Sequence, residues 1–566
     1  MDFVFALHSH LPYVLNHGRW PHGSDWLSEA AVDTYLPLLE ALDALAVEGI
    51  PAPITLGVTP VLANQLAHPT FGSELSAFFT QRLEACDETQ AAFARSGEEH
   101  LIPLTVYWRE RYRRLRRRFE AAGGDLVSAL RAHASEGRLE LLSSAATHGF
   151  LPLLGSDESI ALQLAVGRAE HLRLFGRLPA GCWIPECAYR PRGDWQPDPS
   201  ATFMRDRAGI EEHLEANDYR FFFVDAHLAE AGRPLGLYRE GGRPDGLPLT
   251  DDDPVGTPGR RSPYRTYQVS QGQNGNGVAA FVRDPLSTRQ VWSRHGGFPG
   301  DGGYLEFHKI RFPGGLKFWR VTHPQADLGL KQPYEPNVAR ARAWSHAGHM
   351  QWMLKSHAMG PRAPGESVIV APFDTELFGH WWHEGIEFVA DLYRHCATRG
   401  GVDTRTASAH LAARPPERAI TLAQGSWGAN GDFSMWMNPE TLWTWQQLWP
   451  LEARFWSVAR RRIAEAAAGR ILAQAARELL LLQSSDWQFI ITTGAAADYA
   501  IRRFTGHAED LDRLLQTLER EDGARWDAAE QDAETLRRRD DVFPDILPVL
   551  AAVLRGGNDS GARPPR

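Results

Sequence analysis

Phe3-Val-Phe-Ala-Leu-His-Ser-His-Leu-Pro-Tyr13 is an apolar run that stops at a histidine, and this form recurs down the chain. Phe3 to Leu7 reads as a buried strand that delivers His8 and His10 to a loop, because continuous apolarity marks a strand covered on both faces. Residues two apart share a face of a strand, so the two histidines point the same way. A helix is expected from Asp25 to Glu48, where Leu38, Leu39, Leu42 and Leu45 recur at helical spacing and Pro37 belongs near a helix start. A second buried strand follows at Ile54-Thr-Leu-Gly-Val58. Strand, helix, strand predicts a parallel α/β arrangement.

Four further strands end in polar residues: Leu139 to Ser143, leading to His148; Gly181-Cys-Trp-Ile-Pro-Glu186; Phe221-Phe-Phe-Val-Asp225-Ala-His227; and Val368 to Asp374, with Glu376 beyond it. In a closed parallel barrel all strand C-termini open onto one face, so these groups would converge. Glu186 is conspicuous among Trp183, Ile184 and Tyr189, since a carboxylate there is costly to bury unless it is used or paired. A salt-bridged strand-end glutamate is the plain alternative. Two acids at one site suit glycosidic bond chemistry, in which one attacks or stabilises the anomeric carbon and the other protonates the leaving oxygen. The residues alone do not say which acids pair. His8-x-His10 also fits barrel hydrolases that bind zinc or iron. No further histidine pair or carboxylate set completes a metal shell, so no metal and no cofactor is expected.

The chain of 566 residues, 43% hydrophobic, can bury a large core and suits one catalytic domain with smaller additions. A net charge of −10 weighs against nucleic acid and favours a neutral or cationic ligand. Many of the 19 Trp residues lie in Gly-rich segments, where their faces can stack on sugar rings. No apolar run is long enough for a membrane span, and the N-terminus enters a strand without a signal-peptide core, so a cytoplasmic protein is expected. Cys86, Cys182, Cys187 and Cys396 are too few and scattered for a disulfide framework and read as reduced thiols.

The expected organisation is a catalytic unit of residues 1–66 and 124–400 with a helical insertion at 67–123. The insertion's run Arg111 to Arg118 reads as a solvated helix face. Arg239 to Arg261, rich in Gly, Pro and Asp, is expected to be a long mobile loop, and Gln271 to Gly277 a flexible connection. Residues 401–555 are expected to form an α-helical C-terminal domain with most of its Trp residues as core anchors, and 556–566 a disordered tail.

The segments His8-Ser-His10-Leu-Pro-Tyr13, Ala146 to Leu154, Trp183-Ile-Pro-Glu186-Cys-Ala-Tyr189, Phe373-Asp374 to Trp382 and Ser484-Ser-Asp486-Trp-Gln-Phe489 resemble, in order, the five motifs of glycoside hydrolase family 57. Within that family they are most similar to the 1,4-α-glucan branching members; a 4-α-glucanotransferase or an α-amylase is the nearest alternative. The resemblance implies an incomplete (β/α)7 barrel with a helical insertion and an α-helical C-terminal domain, and a retaining double displacement on α-glucan donor and acceptor chains. By motif position it makes Glu186 the nucleophile and Asp374 the general acid/base, with carboxyl groups about 5 to 5.5 Å apart. It also implies His10 and His148 beside the scissile bond, Arg283, Gly300, Trp427 and Asp486 as glucan-binding positions, and Trp292 and Trp436 as stacking platforms.

Overall fold

A computed structural model describes the chain apart from residues 197–204, 231–260, 270–276, 294–295, 324, 362–364, 418, 521–525 and 561–566. The long loop expected over Arg239 to Arg261 lies outside the described residues as far as 260, and the connection Gln271 to Gly277 as far as 276. Seven parallel strands form the centre: β1 (Asp2–Ser9), β2 (Ile54–Val58), β3 (Leu139–Ser144), β4 (Gly181–Trp183), β5 (Phe221–Val224), β6 (Val278–Val282) and β7 (Val368–Asp374). Their spatial order is β7-β1-β2-β3-β4-β5-β6, and beyond β6 come the antiparallel strand Tyr267–Val269 and the short Ala419–Ile420. The sheet curls until the Asp284 N–H, just past β6, donates to the Val370 carbonyl of β7 at 2.8 Å. No ladder joins β6 to β7, so the described barrel is incomplete.

Alternation along each strand divides two cores. Phe3, Phe5 and Leu7 of β1 face outward into the large core shared with the helices. Val4 and Ala6 face inward, where with Leu142, Trp183, Phe221, Phe223, Phe281 and Val370 they fill the barrel. His8 continues the inward series and lies opposite Asp374 in the β1–β7 register. The aromatics of β4, β5 and β6 make the filling rigid: Phe223 lies 5.3 Å from Trp183 and 5.5 Å from Phe281 between ring centroids.

Chain order and architecture part near residue 400. The expected start of the helical domain at 401 falls short, because Asp403–Thr404 pairs with β1, Ala407 of the helix Ala407–Ala413 joins the inner barrel core, and Ala419–Ile420 extends the sheet. These elements are held by the buried Asp2 carboxylate, which accepts from His410 Nδ1 at 2.8 Å and pairs with Arg405 at 3.1 Å. The helices that follow begin with Leu442–Arg462 and end with Ile546–Ser560, so the tail expected from Gly556 is helical to Ser560, with 561–566 outside the described residues. Helices Pro69–Ser96 and Ile102–Ala121 pack together as the insertion. On its basic run Arg114, Arg116 and Arg118 pair with Glu40, Glu120 and Asp43, while Arg111 turns inward and is buried. Pro37 stands where the π turn Ala31–Tyr35 gives way to the helix Leu36–Val47, a place that can spare its missing N–H.

The C-terminal helices dock on the loops at the C-terminal ends of β1 and β3. Trp449 and Trp456 donate their indole N–H groups to the Leu153 carbonyl and Ser159 Oγ, each at 2.9 Å. Arg503 donates to the Tyr13 carbonyl at 2.7 Å. Phe223→Ala empties the centre of the aromatic filling, and the expected loss is about 3 to 5 kcal/mol of stability, read as a lower midpoint in denaturant or thermal unfolding followed by tryptophan fluorescence.

Candidate active site

A cleft of about 1270 Å³ opens over the C-terminal ends of the parallel strands and contains both Glu186 and Asp374 in its lining. Asp374 ends β7. Glu186 follows β4 in a tight turn, Pro185–Cys187, at a φ of 59°, and Cys187 next to it has a φ of 47°. Left-handed backbone at two successive non-glycine residues is strained, and here it turns the Glu186 side chain toward the cleft instead of along the strand. The turn is overdetermined from outside. Tyr189 and Gly425 exchange backbone hydrogen bonds at 2.8 and 3.1 Å, and the Trp427 N–H donates to the Glu186 carbonyl at 3.1 Å.

The Trp427 indole N–H also donates to Glu186 Oε2 at 2.8 Å. Oε1 lies 3.7 Å from His148 Nδ1, and Ser485 is a further hydrogen-bond partner of the carboxylate. Burial pushes the Glu186 carboxyl up to about 8; the Trp427 bond opposes this and the charge of Asp374 adds to it. Burial likewise raises Asp374 to about 6, against the pull of Arg283 and His10. Two carboxyls that feel one another in a desolvated site titrate as a pair, and around neutrality this pair holds one proton.

Three imidazoles form the adjoining floor. His8 lies flat on Trp183, 4.7 Å between centroids and 3° between planes, with its Nε2 2.9 Å from His148 Nε2. His148, itself at a φ of 58°, stacks on His10 at 4.0 Å and meets Ser485 Oγ through Nδ1 at 2.9 Å. His10 lies between Thr59 Oγ1 at 3.0 Å and Asp486 Oδ2 at 2.9 Å. Burial pulls both His8 and His148 well below the usual imidazole range, so both are neutral there. Glu376, beside them, accepts from the Tyr35 hydroxyl and from the His10 N–H at 3.3 Å, and burial raises it to about 8.

Of the residues singled out in the sequence, His10, His148, Glu186, Arg283, Trp292, Asp374, Trp427, Trp436 and Asp486 all line the cleft. Gly300 does not; Gly296 of the same turn does. Trp292 is 37% exposed and can offer a ring face. Trp436 is 1% exposed, with Phe150 stacked on it at 4.5 Å and Phe489 beyond at 6.4 Å, so it backs the wall and cannot act as a platform in this arrangement. The exposed ring at that place is Phe489. Arg283, expected to bind ligand, is turned to the protein. It donates to Asp225 Oδ2 at 2.9 Å and Thr288 Oγ1 at 2.9 Å, and its guanidinium lies 5.1 Å from the Trp427 ring. Asp225, with His227 at 3.5 Å, belongs to this support, and His227 Nε2 donates to the Gly431 carbonyl at 2.8 Å to fix the Trp427 loop. Sequence reasoning missed Trp381 of the cleft lining and two buried supports of the histidines, Ser485 and Thr59. Ser485 and Trp381 stand inside quoted motifs, where closeness to Asp486 and Asp374 was the available signal; Thr59 had none.

The model of glycosyl hydrolase family 57 matches residues 4–423, and that of the 1,4-α-glucan branching enzyme C-terminal region matches 448–549. A 1,4-α-glucan branching enzyme of Thermococcus kodakarensis is 39% identical over 523 residues, 91% of this chain and 74% of that protein. A probable 1,4-α-glucan branching enzyme of Mycobacterium tuberculosis is 30% identical over 568 residues, 96% of each. Among solved structures, the Thermococcus branching enzyme in complex with glucose superposes with a TM-score of 0.85 at 37% identity, covering 98% of this chain and 96% of its own. An α-amylase of Thermotoga maritima superposes at 0.77 with 27% identity, covering 97% and 99%.

The burial of Glu186 has a consequence separable from any activity. From its ordinary value of 4.5 up to about 8, the unfolded chain gives up a proton that the folded chain keeps, so the wild type loses stability as pH rises through that window. Glu186→Gln carries no such proton. Its thermal midpoint is expected to exceed that of the wild type by a margin that grows from pH 5 to pH 9; a margin independent of pH would mean that Glu186 is charged throughout.

Proposed function

Because the chain belongs to glycosyl hydrolase family 57, we infer that it is a 1,4-α-glucan branching enzyme, cleaving α-1,4 chains and rejoining them through α-1,6 bonds by a retaining double displacement at Glu186 and Asp374. The observation that carries the assignment of roles is the bond from the Trp427 indole to Glu186 Oε2. That donor favours the charged form of Glu186 and holds one oxygen, leaving Oε1 as the attacking atom. Asp374, at the end of β7, is then the acid.

In the first step the Asp374 proton passes to the glycosidic oxygen as the C1–O bond breaks, while Glu186 Oε1 forms an ester with C1. The released chain end leaves with the proton. In the second step the 6-hydroxyl of an acceptor glucan gives its proton to the Asp374 carboxylate and attacks C1, and the ester breaks to restore the Glu186 carboxylate. The first half-reaction needs one proton on the pair, which is the state the pair holds near neutrality, and the second returns it from the acceptor. In the empty cleft burial favours that proton on Glu186; the positive charge that develops at C1 in the transition state favours the Glu186 carboxylate and so moves the proton toward Asp374. The neutral His148, stacked on His10, supplies a flat wall beside C1.

The α-glucan donor and acceptor chains are neutral, as the net charge of −10 suits. Among the described residues no helix is long and apolar enough to cross a membrane, and all four cysteines are free and buried. The free thiols suit action in a reducing compartment.

Incubation with amylose, then isoamylase and chain-length analysis, tests the activity. Short linear chains released only after isoamylase are the expected product; reducing ends that accumulate without new α-1,6 bonds would leave hydrolysis as the reaction. Asp374→Asn is expected to lower transfer and hydrolysis together by about 10²- to 10⁴-fold, and Glu186→Gln by at least as much. The rate should be highest between pH about 6 and about 8. Below that window the pair gains a second proton and loses its nucleophile; above it the pair loses its only acid.

A further inference from the structure

His8 is 1% exposed and offers a ligand almost no surface. It nonetheless heads a chain of hydrogen bonds that ends on Glu186. His8 Nε2 lies 2.9 Å from His148 Nε2, and His148 Nδ1 lies 2.9 Å from Ser485 Oγ. The Ser485 hydroxyl is in turn a hydrogen-bond partner of the Glu186 carboxylate. Backbone contacts hold the links in place: the Ser485 N–H donates to the His148 carbonyl at 3.2 Å, and Gly149 bridges to Ser484.

Each link can run in either direction, but the directions are not independent. Burial keeps His8 and His148 neutral, so each ring carries one N–H. Two Nε2 atoms at 2.9 Å share one proton, since two lone pairs or two N–H groups would repel. If His8 donates through Nε2, His148 donates through Nδ1 to Ser485, and the serine proton is left for Glu186. If His8 accepts, His148 Nδ1 is bare and takes the serine proton, and Ser485 offers Glu186 only a lone pair. The second arrangement suits a protonated Glu186 and not its carboxylate. The far nitrogen of His8 decides between them. Nδ1 is buried without a hydrogen-bond partner, and a Cβ added at Gly57 would stand 3.3 Å from it, so no acceptor is there for an N–H. An N–H orphaned by burial is rarer and more costly than a bare lone pair. His8 therefore keeps Nδ1 bare and donates through Nε2.

We propose that His8 is a positioning residue for the reaction at Glu186, setting the direction of the chain through His148 and Ser485 so that the serine hydroxyl donates to the Glu186 carboxylate. The proposal rests on the reading of Glu186 as the nucleophile. Glu186 then receives two donors, the Trp427 indole at 2.8 Å and the Ser485 hydroxyl. Both favour the charged form, which attacks C1 in the first step and is restored in the second. No proton travels along the chain, and His8 touches no substrate. The titratable and charged groups around Glu186 are Asp374 at the end of β7, Asp486 at the start of the helix Asp486–Thr493, and His148 after β3. Arg283 and His10 act on Asp374, and His10 also faces His8. All of these stay in place when His8 or Ser485 is changed.

The experiment follows kcat/KM from pH about 5 to about 10 for the full-length wild type, Ser485→Ala, His8→Phe, His8→Gln and the double variant His8→Phe/Ser485→Ala. Cleavage of maltoheptaose is read as transfer plus hydrolysis. Ser485→Ala removes a donor to the carboxylate, so Glu186 holds its proton more tightly and Asp374 holds it less often. The basic limb is expected to move up by about one pH unit and the plateau to fall roughly tenfold, the factor that one hydrogen bond to a charged group carries. His8→Phe keeps a flat ring on Trp183 without an N–H and should shift the limb in the same direction. His8→Gln puts an amide N–H in the place of Nε2 and should recover both limb and plateau. Because His8 acts through Ser485, the double variant should be no slower than Ser485→Ala alone. A limb that stays in place in Ser485→Ala, or single effects that multiply in the double variant, would overturn the proposal and leave His8 a packing residue; the first of these outcomes does not need His8→Phe to fold. A wild type that only hydrolyses, with limbs that move as stated, would keep the proposal and remove the branching reading. Full activity in Glu186→Gln would remove the assignment of the nucleophile, and the proposal with it.

Discussion

Two carboxyl groups in one desolvated cleft cannot both be charged without a large cost, and much of the surrounding structure is arranged about that constraint. Glu186 and Asp374 stand at the C-terminal ends of β4 and β7 in a curled sheet whose interior is filled by Trp183, Phe221, Phe223 and Phe281. The filling excludes water beneath the acids, and the exclusion raises both of them. Opposing groups moderate the effect: the Trp427 indole and the Ser485 hydroxyl on Glu186, and the charges of Arg283 and His10 near Asp374. Arg283 is in turn neutralised by Asp225, so the site gains its field without an unpaired buried cation.

The barrel alone does not make this site. Trp427 comes from the segment after the last strand added to the sheet, and Ser485 and Asp486 from the start of the helix Asp486–Thr493. These residues orient Glu186, His148 and His10, each of which the barrel supplies. The docking is correspondingly dense: backbone bonds join Tyr189 to Gly425 and Ser485 to His148, and Trp449 and Trp456 tie the helices to the loop after β3 and to the helix Asp157–Phe175 that follows it. Separation of the helical region from the barrel would expose the acids to water and release the strained turn at Glu186, so assembly and activity are coupled through the same contacts.

The strand series was legible because a strand covered on both faces is largely apolar, as the centres of β1, β5 and β7 are, while β2 and β3 carry Thr55 and Glu140 within a mostly apolar run. The convergence of His8, His10, His148, Glu186 and Asp374 followed from the parallel direction of those strands. The roles of the supporting residues were less legible. Trp436 and Arg283 stand in the expected places, yet one is enclosed by Phe150 and Phe489 and the other is turned to Asp225 and Thr288. Residue type and motif position say that a ring or a guanidinium is present; they do not say which neighbour it faces. The stretch after 401 misled for a related reason, since Asp403–Thr404 and Ala419–Ile420 are too short to carry a periodic signal and exist only because an edge of the sheet receives them.

The sequence by itself determined the inward and outward faces of the strands, the polar residues at their ends and the candidate acids, because these depend on local period and residue chemistry. Only the tertiary structure decided that the Trp427 indole holds Glu186 Oε2 and that Glu186 and Asp374 share one desolvated cleft. Those properties depend on distances between segments hundreds of residues apart, and on the water that their packing removes.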